Sequence, residues 1–140
     1  MTQITPYPIW IGHAGDGRAF RELFDLGIRA VVQLAAEEPS IQTPRDLVSF
    51  RFPLIDGSGN DPDLLDLAIR SVVALEQKGI PTLVCCGAGM SRSPAIVAAA
   101  LALARRSGLD ESMQIVAKCH PLDLSPPLWA EVCGATERAR

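Results

Sequence analysis

The residues best placed to do chemistry lie in one stretch, Leu83-Val84-Cys85-Cys86-Gly87-Ala88-Gly89-Met90-Ser91-Arg92-Ser93-Pro94. Apolar residues lead into it, glycines recur through it, and an alanine-rich pattern follows, so it reads as a strand, a glycine-rich turn and a helix start. Such a turn is an anion site on physical grounds. Its successive N–H groups form a concave nest, and the helix that follows adds the positive end of its dipole. Gly87 and Gly89 let the backbone approach an oxyanion closely. Cys86 opens the turn, and a field that holds an anion also holds a thiolate, so its pKa is expected below the ordinary value of about 8.5. Arg92 closes the turn after five residues, and its planar fork binds two phosphoryl oxygens at once, which lysine cannot do. The expected phosphate-binding set is therefore Gly87, Ala88, Gly89, Met90, Ser91 and Arg92, with Cys86 as nucleophile. Ser93 can turn its hydroxyl toward the sulfur and help the thiolate leave; a plain helix N-cap suits it equally.

The elements that must position these residues alternate along the chain. Strands are predicted at Ile9–Ile11, Ala30–Leu34, Phe50–Ile55 and Thr82–Cys85. A first helix is predicted with Asp16 as cap, Phe20, Leu23 and Phe24 as its apolar face, and Gly27 as its stop. Glu37 to Arg45 is polar with two prolines and reads as a loop. The loop from Asp56 to Asn60 ends at Asp61-Pro62, a capping side chain followed by proline at the first helical position. Leu65, Ile69, Val72 and Val73 give the next helix one apolar face. The helix after the glycine turn, Ser93 to Arg106, is apolar nearly all round and so is expected to be central, ending in a solvated Arg105-Arg106 that complements the dipole. Two more helices are predicted, one capped near Asp110 and one starting at Ser125-Pro126-Pro127 with Leu128, Trp129 and Val132 inward. The order of elements implies an α/β domain.

Composition narrows the function. The chain has 140 residues, 48% hydrophobic, with net charge −3. That is one domain with a real core, and the charge argues against nucleic acid as a partner. No window approaches the apolar length of a membrane span and no secretory leader is evident, so a reducing cytoplasm is the expected compartment. There the four cysteines, Cys85, Cys86, Cys119 and Cys133, are expected to be catalytic or buried rather than paired. His13 and His120 are far apart and no Cys-x2-Cys pair exists, so no metal is expected. Both histidines read as structural or surface residues.

Cys86-Gly87-Ala88-Gly89-Met90-Ser91-Arg92-Ser93 resembles the signature loop of the protein tyrosine phosphatase superfamily: cysteine, five residues, arginine, then serine or threonine. The wording from Ala88 to Ser93 is most similar to the dual-specificity phosphatases. Ile9-Trp10-Ile11-Gly12, Gly27-Ile28 leading into Val31-Val32, and Phe52-Pro53-Leu54-Ile55-Asp56 are similar to family segments in the same order. The resemblance implies a single catalytic domain over residues 1–140. Its sheet would be central and mostly parallel, of about four to five short strands flanked by helices. It implies a phosphomonoester hydrolase acting through a phosphocysteine on phosphotyrosine, and on phosphoserine or phosphothreonine, with Asp56 as general acid. Asp61 is the competitor for that role, although it has a capping task of its own. No metal or organic cofactor is implied. The expected partner is a phosphorylated protein or peptide, with no nucleic acid and no membrane, and the chain is expected to act as a monomer.

The chain departs from the family at Cys85, where a histidine is usual. Adjacent cysteines form strained disulfides, so Cys85 reads as a small buried hydrophobe at a strand end. The loop interior carries no lysine or arginine, which points to a simple phosphomonoester. Two other functions compete: a phosphate-reading module without turnover, and sulfur transfer from an anion-binding loop. The Ser91-Arg92-Ser93 ending and the upstream Asp56 fit sulfur transfer poorly.

Overall fold

Apolar residues at alternate positions of the central strands sort the core into two unequal layers. The computed structural model describes residues 1–140. Its strands are β1 (Thr2–Gln3), β2 (Ile9–His13), β3 (Ala30–Ala35), β4 (Val48–Leu54) and β5 (Thr82–Cys86). Its helices are α1 (Phe20–Asp25), α2 (Pro62–Gln77), α3 (Arg92–Arg105), α4 (Leu109–Cys119) and α5 (Pro126–Ala139), with a short 3-10 turn at Asp16–Arg18. The strands form one sheet in the order β1-β2-β5-β3-β4. Only β1 runs antiparallel to its neighbour. This is the α/β domain that the alternation of elements implied, with the mostly parallel sheet that the resemblance implied and β1 as an added two-residue edge.

Side chains alternate across a strand with period 2, and β5 shows the consequence. Val84 and Cys86 face the larger core under α2, α3, α4 and α5, whereas Leu83 and Cys85 face a smaller cluster with Leu23, Ile28, Val31, Ile41 and Leu47. Adjacent cysteines therefore lie on opposite faces of the sheet, and all four cysteines are free thiols. The helix that follows the glycine turn is central, as its all-round apolarity predicted. Every residue of α3 from Arg92 to Ala102 is buried, and its run of alanines lets α2, α4 and α5 approach closely.

Several local expectations are corrected. Asp16 caps no α-helix; its carboxylate accepts from the His13 N–H at 3.0 Å, and α1 has no side-chain cap. Phe24 is exposed and Leu23 alone of the predicted face is buried, because six residues are too few to present a full apolar stripe. Gly108 holds the cap position of α4 and Asp110 lies in its first turn. Arg105 is not simply solvated: it pairs with the buried Glu76 and lies over the Tyr7 ring. Asp61 does cap α2, accepting from the Asp63 N–H at 2.9 Å. No helix is long and apolar enough to cross a membrane.

Candidate active site

The end of the central strand β5 and the head of the most buried helix, α3, are joined by only five residues, Gly87 to Ser91. None of the N–H groups of those five residues donates within the chain. Gly89 has φ +79°, and a Cβ there would meet the Gly12 carbonyl oxygen at 2.7 Å, so the turn needs glycine on both counts. A small cavity of about 70 Å³ opens over the turn, lined by Asp56, Cys86, Ala88, Gly89, Met90, Ser91, Arg92 and Asp123. It is far below the usual volume of a site for a whole small molecule, and suits one functional group. The larger cavities of the molecule contain none of these residues.

Arg92 is buried at the cavity wall and its donors divide cleanly. Nη1 and Nη2 donate to Glu37 Oε1 and Oε2 at 2.5 and 2.6 Å, and Nη1 also donates to the Leu54 carbonyl at 2.9 Å. A guanidinium has five N–H groups. Those left are Nε–H, which is buried without a partner, and the second hydrogen of Nη2. They lie side by side, the edge that binds two oxygens of one phosphoryl group. The Arg92 hydrogen bonds hold the Glu37 carboxyl at about 2, against an ordinary 4.5, even though burial opposes the shift. The same bonds raise Arg92 above its ordinary value. Glu37 lies just beyond β3 in a segment pinned by Gln33, whose amide donates to the Pro39 carbonyl at 2.7 Å and accepts from the Ile41 N–H at 3.2 Å.

Asp56 reaches the cavity from the loop after β4. Its Oδ1 accepts from the Ser91 hydroxyl at 2.6 Å, and that hydroxyl oxygen accepts from the Ser125 N–H at 3.0 Å. Asn60 organises the loop from inside: its side chain accepts from the Ile55 N–H at 2.7 Å and donates to the carbonyls of Ile55 and Gly57 and to Glu131. Burial pushes the Glu131 carboxyl up, but bonds from the Asn60 side chain and from the N–H groups of Gly59 and Asn60 outweigh it and hold it low.

No protein-family model matches the chain, and no curated protein matches it. Solved structures do. Human DUSP28 superposes with a TM-score of 0.86 at 23% identity, over 99% of this chain and 97% of that one. A mouse "putative dual specificity phosphatase" complexed with zinc tungstate gives 0.85 at 25% identity over 98% and 86%. This is the dual-specificity phosphatase fold. The human tyrosine phosphatase-like serine/threonine/tyrosine-interacting protein shares it, at TM-score 0.81 and 17% identity over 99% and 97%.

Within the dual-specificity phosphatase fold, the predicted residues come together unevenly. Cys86, Arg92, Asp56 and Ala88 to Ser91 line one cavity. Ser93 does not join them: it is the second residue of α3, the cap position belongs to Ser91, and the buried Ser93 hydroxyl makes no hydrogen bond. The cap falls two residues earlier than expected, at Ser91, and that displaces Ser93 into the helix. Glu37 and Asp123 escaped the sequence reading, and His120, read there as structural or surface, is the residue whose Nε2 meets the Gly89 carbonyl. Glu37 lay in a polar loop with no local pattern, and its partner is 55 positions away. Asp123 and His120 belong to the connection before α5, and only the folded chain brings them against the turn.

Cys85 is fully buried behind the sheet. Burial, reinforced by the neighbouring Cys86, pushes its thiol up to about 12, so at neutral pH it is no nucleophile. Iodoacetamide at neutral pH is expected to alkylate Cys86 and leave Cys85 unmodified in the folded protein, as read by peptide mass spectrometry. Labelling of Cys85 at a comparable rate would contradict its placement.

Proposed function

We propose that this chain is a cysteine-dependent hydrolase of phosphomonoesters on protein side chains, phosphotyrosine first, with phosphoserine and phosphothreonine also admitted. The observation that carries the reading is the shared cavity. One small space is lined by Cys86, Arg92 and Asp56, beside a turn whose five backbone N–H groups make no bond within the chain. Cys86 sulfur attacks phosphorus in line; the S–P bond forms as the P–O bond to the side chain breaks, and Asp56 gives its proton to the departing oxygen. Water then attacks the phosphocysteine and passes a proton to Asp56. The sulfur leaves with its electron pair and inorganic phosphate is released. The N–H groups and Arg92 hold the equatorial oxygens through both steps, and that fixed electrostatic stabilisation supplies most of the acceleration. The tungstate in the mouse structure is a tetrahedral oxyanion, the shape this cavity suits.

The rim bears Asp56 and Asp123 and no lysine, which supports a singly phosphorylated substrate over a multiply phosphorylated one. The competing reading, a phosphate-binding module without turnover, draws on Asp56 being tied to Ser91 and on Cys85 in place of histidine. Hydrolysis of p-nitrophenyl phosphate under reducing conditions separates them. Wild type is expected to turn over. Asp56→Asn should lose about 10²-fold in kcat, with a flatter pH profile once the proton donor is gone. A folded wild type that binds phosphate without hydrolysing it would establish the module instead.

A further inference from the structure

Whether the turn can hold an oxyanion depends on which way its peptide units face. A trans peptide is planar, with C=O and N–H pointing in opposite directions. A carbonyl fixed on one side of the turn therefore sends the next N–H to the other side. Four carbonyls here are fixed. Gly87 accepts from the Ala14 N–H at 3.2 Å, Met90 from the Asp123 N–H at 2.9 Å and Ser91 from the Ala95 N–H at 3.0 Å. The fourth, Gly89, accepts from His120 Nε2 at 2.7 Å. Three of these anchors are backbone groups that any residue but proline supplies. His120 is the one side chain among them, and it holds the peptide most prone to flip, since glycine at positive φ has no Cβ to oppose rotation.

The histidine is itself fixed in place. It ends α4, donating its own N–H to the Val116 carbonyl at 3.0 Å, and its backbone is extended at φ −146°, ψ 138°, as the following Pro121 favours. A carbonyl oxygen can only accept, so Nε2 carries the proton. Nδ1 is buried and has no partner, so the bond to Gly89 is the ring's whole use of its polar atoms.

We propose that His120 is the positioning residue of this turn: its bond to the Gly89 carbonyl aims the Met90 N–H into the cavity, toward the phosphoryl group. The inference rests on the phosphatase reading only in taking phosphate as the ligand. Three proteins test it: wild type, His120→Phe, which fills the space without a donor, and His120→Gln, whose side-chain N–H can take the place of Nε2–H. The first measurement is inorganic phosphate binding by calorimetry, with thermal unfolding as a control on the fold. His120→Phe should weaken phosphate about tenfold, the cost of one hydrogen bond to a charged group, whereas His120→Gln should stay within about threefold of wild type. The second measurement needs no ligand: residual dipolar couplings report the direction of the Met90 N–H in the free protein, expected to change in His120→Phe and not in His120→Gln. Should His120→Phe not fold, His120→Ala replaces it and is read in the same way. Wild-type phosphate affinity with an unchanged Met90 coupling in the donorless variant overturns the inference. So does equal loss in the Phe and Gln variants, which would assign the ring to packing. If wild type itself binds no phosphate, the phosphatase reading fails, while the coupling still decides what orients the peptide.

Discussion

Cys86→Ser is expected to lower p-nitrophenyl phosphate hydrolysis by about 10⁴-fold or more, while inorganic phosphate binding stays close to wild type. The two halves have separate causes. Turnover needs a thiolate, and a serine hydroxyl gives no comparable anion at neutral pH. No histidine stands beside position 86 to take its proton; His13, opposite it in β2, uses Nδ1 to accept from the Asp16 N–H. Binding draws on the backbone N–H groups of Gly87 to Ser91 and on Arg92, none of which the substitution touches. Cys86 is 2% exposed, and serine is smaller, so the strand end should keep its place. Single-turnover kinetics with phosphate binding measured on the same sample makes the check. Substantial hydrolysis by Cys86→Ser would mean that water attacks the ester directly and that no phosphocysteine forms.

Arg92→Lys is the second large effect: a loss of about 10³-fold in kcat/KM, at the upper end of what one preorganised oxyanion donor supplies. The guanidinium makes three bonds to Glu37 and Leu54 and still has two donors free, on a residue that lines the cavity. An ammonium has three donors from one point. It cannot satisfy both Glu37 oxygens and the Leu54 carbonyl and also grip two phosphoryl oxygens. The Glu37 pair keeps Arg92 oriented over the whole working range of pH. Its carboxyl sits at about 2 in the folded protein against an ordinary 4.5. A depressed carboxyl stabilises the folded state in full above its ordinary value and loses that contribution as pH falls toward 2. Acid sensitivity of the arginine's placement is therefore confined to pH below about 4.5. Kinetics of Arg92→Lys at pH 6 and 7, with thermal unfolding alongside, makes the measurement. A variant within tenfold of wild type would show that the backbone N–H groups stabilise the transition state without the fork.

The parts of the site that were legible beforehand are those built from neighbours in sequence. Cys86, the turn and Arg92 are seven consecutive residues, and backbone direction alone makes them a concave donor surface. Asp56 was found through resemblance, and its rival Asp61 was set aside by a local rule that the fold obeys, since Asp61 caps α2. What escaped depends on distance along the chain. Glu37 carries no mark as Arg92's partner; it meets Arg92 only because β3 and β5 pair in parallel and Gln33 folds the following segment back. Ser93 lies two positions inside the cap, because Ser91 caps α3, and a shift that small is enough to turn a side chain from the cap into the core. Fold class was easier, because strands and helices alternate and the central strands are short, nearly continuous apolar runs. The edge strand β1 is two residues long and too short to carry any period.

The central position of β5 divides the site by how freely its parts can move. Cys86 ends a strand bonded on both sides, to β2 and β3, and Arg92 heads a helix buried for most of its length. Neither can shift appreciably without opening the whole domain, so their exchange with unfolded states tracks global stability. Asp56 belongs to an exposed loop held by the Asn60 side chain and by Glu131 from α5, and that loop can open locally while the sheet stays intact. In the proposed mechanism, breathing that admits a bulky phosphorylated chain or releases phosphate would then come from the side of Asp56. The slow step of turnover would belong to the loop, with the nucleophile and its clamp as the fixed frame against which it moves.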